Sequence, residues 1–118
     1  MYLSIFQAIE KRHLLQFHYC GYFRVIEPHV YGHDLRFSDV IRGYQIAGAD
    51  ELGKHRGWKW FRAGKIEDLQ VLPTHFTGPR KGCQLTVERL ERVYCALDGM
   101  TLPHGTTRAL PADCVVDC

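Results

Sequence analysis

Short runs of alternating apolar and polar residues, each punctuated by glycine or proline, recur along most of this chain. That rhythm belongs to half-buried β-strands, not to helices. Leu15, Phe17 and Tyr19 alternate with Gln16 and His18. Cys20-Gly21 supplies a turn, because glycine takes positive φ without steric cost. Tyr22 to Glu27 returns as a second strand, which Pro28 is expected to end by lacking an N–H. Residues 29–39 mix glycine, histidine and charge and read as a loop. Val40 to Ala47 forms a third strand, with Arg42, Tyr44 and Ile46 on one face. A polar connection over 48–56 follows. Gly57 to Arg62 is a fourth strand, and Ile66 to Leu72 a fifth, closed by Pro73. Consecutive short strands of this kind favour a closed barrel or a sandwich over a parallel α/β sheet.

Helical signals flank the strands. Ser4-Ile5-Phe6-Gln7 has the form of a capping box opening a helix to about Lys11, with Ile5 and Ile9 on one face. Val87, Leu90, Tyr94 and Leu97 recur at helical spacing, and Glu88 stands four residues before Arg92. This predicts a C-terminal helix ending near Gly99. Residues 101–118 carry Pro103 and Pro111 with little periodicity and read as a tail. The fold class expected is therefore mainly β with short flanking helices. Residues 1–83 make a β-barrel with its N-terminal helix, and residues 84–118 a helix and tail packed on the same domain.

At 118 residues the chain suits one core, and 46% hydrophobic content is enough to fill it. A formal net charge of +2 makes any cationic site a matter of arrangement, not of overall charge. No apolar run reaches membrane-spanning length and no secretory leader is recognisable, so a cytoplasmic protein without a membrane partner is expected. The five cysteines are odd in number and widely spaced, which favours free thiols in a reducing compartment.

Motifs for chemistry are missing. The two serines, Ser4 and Ser38, lie in no nucleophile elbow, and phosphate-binding glycine loops are absent. The seven histidines are scattered, and only His29 and His33 are closely spaced, in a segment read as a loop. They are expected to be solvated surface residues, with no metal, no cofactor and no catalytic residue assigned.

Basic and aromatic residues give a sharper signal. Lys59 should face away from Trp58 and Trp60, which cover the core or present a stacking platform. Lys59, Arg62 and Lys65 flank one hairpin end, and Arg24, His29, Tyr44 and Arg80 fall on neighbouring strands or loops.

Taken in order, the pieces resemble the WYL-domain family: Phe17-His18-Tyr19, Arg24-Val25-Ile26-Glu27-Pro28-His29, Arg42-Gly43-Tyr44-Gln45, Trp58-Lys59-Trp60-Phe61-Arg62 with Lys65-Ile66, and Phe76 with Arg80 and Gly82. The resemblance spans roughly residues 3–83. It implies a small, five-stranded Sm-like or SH3-like barrel behind a short helix. It also implies a bacterial sensor or regulatory module that binds a nucleotide or single-stranded DNA or RNA in transcription or defence control. Under it, Lys59, Arg62, Lys65 and Arg80, with Arg24 nearby, would neutralise phosphates, while Tyr44 and His29 would stack on or hydrogen-bond a base. Two positions depart from the family pattern. The name-giving tripeptide reads Gly43-Tyr44-Gln45, and Lys59 stands where arginine is usual, losing bidentate phosphate geometry. The family's helix-turn-helix domain has no counterpart ahead of the barrel, so the expectation is action through a partner such as a separate DNA-binding protein, as a bare nucleic-acid binder, or as a ligand sensor on its own; a homodimer is a further expectation. The competing expectation is a protein-interaction module with no nucleic-acid ligand.

Overall fold

The Cys20-Gly21 turn forms as the alternation requires. In the computed structural model, which describes residues 3–35, 38–49, 56–80 and 90–97, β1 (His13–Tyr19) and β2 (Tyr22–Asp34) pair antiparallel with Tyr19 opposite Tyr22. Cys20 and Gly21 both have positive φ, 55° and 81°. This is the two-residue turn whose twist matches that of the flanking strands. Ahead of the hairpin, α1 (Leu3–Lys11) buries Ile5, Ala8 and Ile9. It begins at Leu3, so Ser4 lies inside the first turn and does not cap it.

The remaining strands are β3 (Asp39–Gly48), β4 (Gly57–Arg62), β5 (Glu67–His75) and β6 (Leu90–Ala96), with a single 3-10 turn, Ala63–Lys65, between β4 and β5. All pairings are antiparallel, in the order β4-β3-β2-β1-β5, and β6 joins β2 off this path. Ring contacts reveal the curvature. Three strand steps separate β1 from β4, about 14 Å across a flat sheet. Yet the Phe61 ring lies 5.1 Å from both Phe17 and Tyr19, and the Arg62 amide donates to the Tyr19 hydroxyl at 3.0 Å. The sheet therefore curls until its inner faces meet, with α1 packed against β1, β2, β5 and β6. Among the described residues no ladder joins β4 to β5, so this six-stranded sheet is open, where a closed five-stranded barrel was expected.

Four local expectations are corrected. Pro28 does not end β2, which continues through residues 29–34 that had read as loop. Pairing with β1 stops at Ile26 and pairing with β6 starts at Val30. Pro28 thus sits at the handover, beside a register shift, where a missing N–H is tolerated. Gly32 in this stretch is not a loop glycine either. A Cβ there would lie 2.5 Å from the Arg92 carbonyl oxygen, so its absence lets β6 approach. Pro73 likewise lies within β5, an edge strand, where proline is permitted. The predicted C-terminal helix is replaced over Leu90–Ala96 by β6, because β2 offers a free edge from Val30 to Asp34. Its predicted start, with the tail, lies outside the described residues.

Cys20 is disulfide-bonded, against the expectation of free thiols, whereas Cys95 is not in a disulfide. Among the described residues no helix is long and apolar enough to cross a membrane.

Candidate functional site

Tyr44 and Trp58 are directly opposite on β3 and β4, and their rings meet edge to face at 5.4 Å. Across the other edge of β3, Tyr44 opposes Glu27 of β2. Arg80 arrives from the segment after β5 and completes the group. Its guanidinium lies 4.1 Å from the Tyr44 ring centroid. It also forks onto Glu27, with Nε donating to Oε1 at 2.7 Å and Nη2 to Oε2 at 3.1 Å. Such a two-point contact to a carboxylate fixes the guanidinium plane as well as its charge. The hydrogen bond to Glu27 raises the Arg80 pKa further, against a smaller opposing effect of burial. The Arg80 side chain is still 39% exposed, against 11% for Glu27.

His29 stands beneath this pair and is completely buried. Its Nδ1 lies 2.8 Å from the Glu27 carbonyl oxygen, and its Nε2 lies 3.1 Å from the Arg80 amide nitrogen. A carbonyl can only accept and an amide N–H only donate. Nδ1 therefore carries the proton and the ring is neutral. Burial lowers its pKa, outweighing the hydrogen bond and charge of Glu27, which raise it. Its ring packs against Trp58 at 4.7 Å and Phe76 at 5.7 Å. This histidine is not the solvated residue expected. It positions Arg80 through its ring and offers no free nitrogen to a ligand.

The other sequence-derived residues scatter. Arg24 is buried on the opposite, inner side. Its Nη1 donates to Gln45 at 3.3 Å and its Nη2 to the Tyr19 carbonyl at 3.1 Å, among the rings of Tyr19, Tyr22 and Phe61. Gln45 and Tyr44 are consecutive in β3, so strand alternation separates Arg24 from the Tyr44 group. Lys59 opposes Gly43 and likewise alternates away from Trp58. Arg62 shares the Trp58–Trp60 face at the far end of β4, opposite Val40. Its Nε is buried without a hydrogen-bond partner. Lys65 is exposed at the end of the 3-10 turn. Of the seven residues, the structure brings together Tyr44, Arg80 and His29.

Two contributors carried no assigned role in the sequence. Glu27 is flanked by Ile26 and Pro28, and an acid in so apolar a strand signals a required partner. Arg42 lies between the tryptophans, 5.3 Å from the Trp58 ring and 5.2 Å from that of Trp60. The tryptophan pair is thus filled by an arginine of the chain itself, and Trp60 is buried as a core cover.

A second polar group ties three strands together. Asp39 accepts from the Tyr94 hydroxyl at 2.9 Å and pairs with His33 Nδ1 at 3.0 Å. Burial raises the Asp39 pKa, but the hydrogen bonds from His33 and Tyr94 outweigh it and leave it lowered. No group of three or more metal-ligating side chains occurs among the described residues.

No family model matches the chain, and neither a curated protein nor a solved structure matches it. The likeness to WYL domains rests on the residues quoted above.

Proposed function

We propose that the chain is a regulatory module of WYL type that binds an anionic ligand, a nucleotide or single-stranded nucleic acid, at Arg80. The observation that carries this reading is a half-exposed guanidinium laid on the Tyr44 ring and locked in plane by Glu27. Glu27 occupies Nε and Nη2, which leaves Nη1 for a phosphate oxygen. The outer face of a planar, pre-oriented guanidinium is a surface on which a base stacks. Ligand binding transmits to a partner through β2, since Glu27 and His29, which hold Arg80, both belong to that strand.

Fluorescence anisotropy with labelled single-stranded DNA and RNA, across a salt series, tests the proposal. Affinity should fall steeply with salt, because each neutralised phosphate releases counterions. Arg80→Ala should weaken binding about tenfold or more and flatten the salt slope by about one phosphate contact. Absence of binding, or binding indifferent to salt, would overturn it. That result would favour the second reading, a protein-interaction module. The exposed pair Tyr22 (37%) and Phe23 (43%), at the tip of the β1–β2 hairpin, supports that alternative.

A further inference from the structure

The start of β1 and the end of β5 bring two histidines together that are far apart in sequence. His13 and His75 are direct cross-strand partners, and their ring centroids lie 4.1 Å apart with 40° between the planes. The neighbouring backbone holds both in place. Phe76 donates its amide to the Arg12 carbonyl at 2.9 Å, and the Arg12 guanidinium is turned away onto the Thr77 carbonyl at 3.2 Å.

The His13 tautomer is decided by its partner. Its Nδ1 lies 2.7 Å from the Leu72 carbonyl oxygen, which can only accept. The proton is therefore on Nδ1, and the Nε2 lone pair is left available. A backbone carbonyl on the far nitrogen is the arrangement that orients metal-binding imidazoles and raises their basicity. His75 is exposed beside it.

We infer that His13 and His75 form an open, two-imidazole site for a divalent transition metal of tetragonal preference, nickel(II) or copper(II). The ring separation lies nearer one geometry than the other. A metal–nitrogen bond of about 2.0 Å puts the ion roughly 3.1 Å from each ring centre. Two imidazoles at a right angle then have centres about 4.4 Å apart, and at the tetrahedral angle about 5.1 Å. The observed 4.1 Å fits the right angle with a small opening of the pair. Right-angled nitrogen donors suit copper(II) and nickel(II), whereas tetrahedral sites suit zinc. Water or an external donor would fill the other positions. Metal held there would clip the edge strand β5 to β1.

Calorimetric titration of the whole chain with nickel chloride tests the site. One equivalent should bind, and His75→Ala and His13→Ala should each weaken that binding about tenfold or more. His18→Ala, at the exposed histidine of β1, should leave it unchanged. Because His75 is exposed, H75A should keep the parent thermal midpoint, so loss of binding there is not loss of fold. Unchanged affinity in H75A, or equal loss in H18A, would overturn the site. Zinc chloride binding as tightly as nickel would overturn the right-angle geometry.

Discussion

Burial holds the His29 ring neutral, pushing its pKa below the ordinary 6.5 against the pull of the Glu27 carbonyl and carboxylate. In the unfolded chain the same ring takes up a proton near its ordinary pKa. Below about pH 6.5 the unfolded state therefore binds more protons, and stability falls as pH falls. The contribution is fully present above the unfolded pKa and is lost as pH falls from there through the lowered folded-state pKa. His29→Phe keeps an aromatic ring, though a larger one, and strands the Glu27 carbonyl and the Arg80 amide. It should cost about 1–3 kcal/mol at neutral pH and reduce the loss of stability between about pH 7.5 and about pH 5. Urea midpoints at the two pH values measure both effects, and an unaltered pH dependence would show that His29 is not the titrating group. Seen in sequence, His29 is one of seven scattered histidines. Nothing local announces that a segment after β5 will place an amide on its far nitrogen. In the sequence Tyr44 and Arg80 are two of seven residues assigned to one basic and aromatic patch, and both their contact and the fork onto Glu27 join residues that only the fold brings together.

β2 shows how an element differs from the sum of its residue signals. Its 13 residues read locally as a strand, a proline stop and a loop, yet they form one strand with β3 along one side and β1, then β6, along the other. Local punctuation loses because strand pairing on both sides satisfies backbone groups that a loop would leave to water. The same competition turns 90–96 from the predicted helix into β6. Gly32 is the position where this is tested. Gly32→Ala would press a Cβ onto the Arg92 carbonyl, which should cost about 1–3 kcal/mol, the usual penalty of overpacking. Hydrogen exchange of amides in Leu90–Ala96 should accelerate more than that of β1, because the three atoms nearest the added Cβ all belong to β6. Uniform acceleration in both strands would show instead that β6 does not open separately. Tyr94 and Asp39 link β6 to β3 as well, so some protection should persist.

At the scale of the molecule, curvature makes one core out of a sheet that stays open. Phe61, on the edge strand β4, is where the curl closes over the core, touching Phe17 and Tyr19 of β1 from three strand steps away. Phe61→Ala should destabilise by about 3–5 kcal/mol, the range for removing a buried aromatic ring. It should also release the Arg62–Tyr19 hydrogen bond that lies next to it. Chemical denaturation measures the loss, and a cost under about 1 kcal/mol would mean that the sheet holds its curl without that contact. The same curl puts Arg24 inside and Arg80 outside, two arginines whose roles are indistinguishable in the sequence.

Alternation and turn chemistry act over a few residues, so the sequence by itself determined the N-terminal helix, the β1–β2 hairpin, the β3 and β4 segments and a β-rich class. Long-range pairing acts over the whole chain and was decided only by the tertiary structure. It set the open six-stranded sheet, the passage of β2 through Pro28, and β6 in place of a helix. It also assembled the Glu27–Arg80–Tyr44 group and the His13–His75 pair. Each of these depends on which strand edges and faces meet, and a residue's own neighbours in the chain carry no record of that.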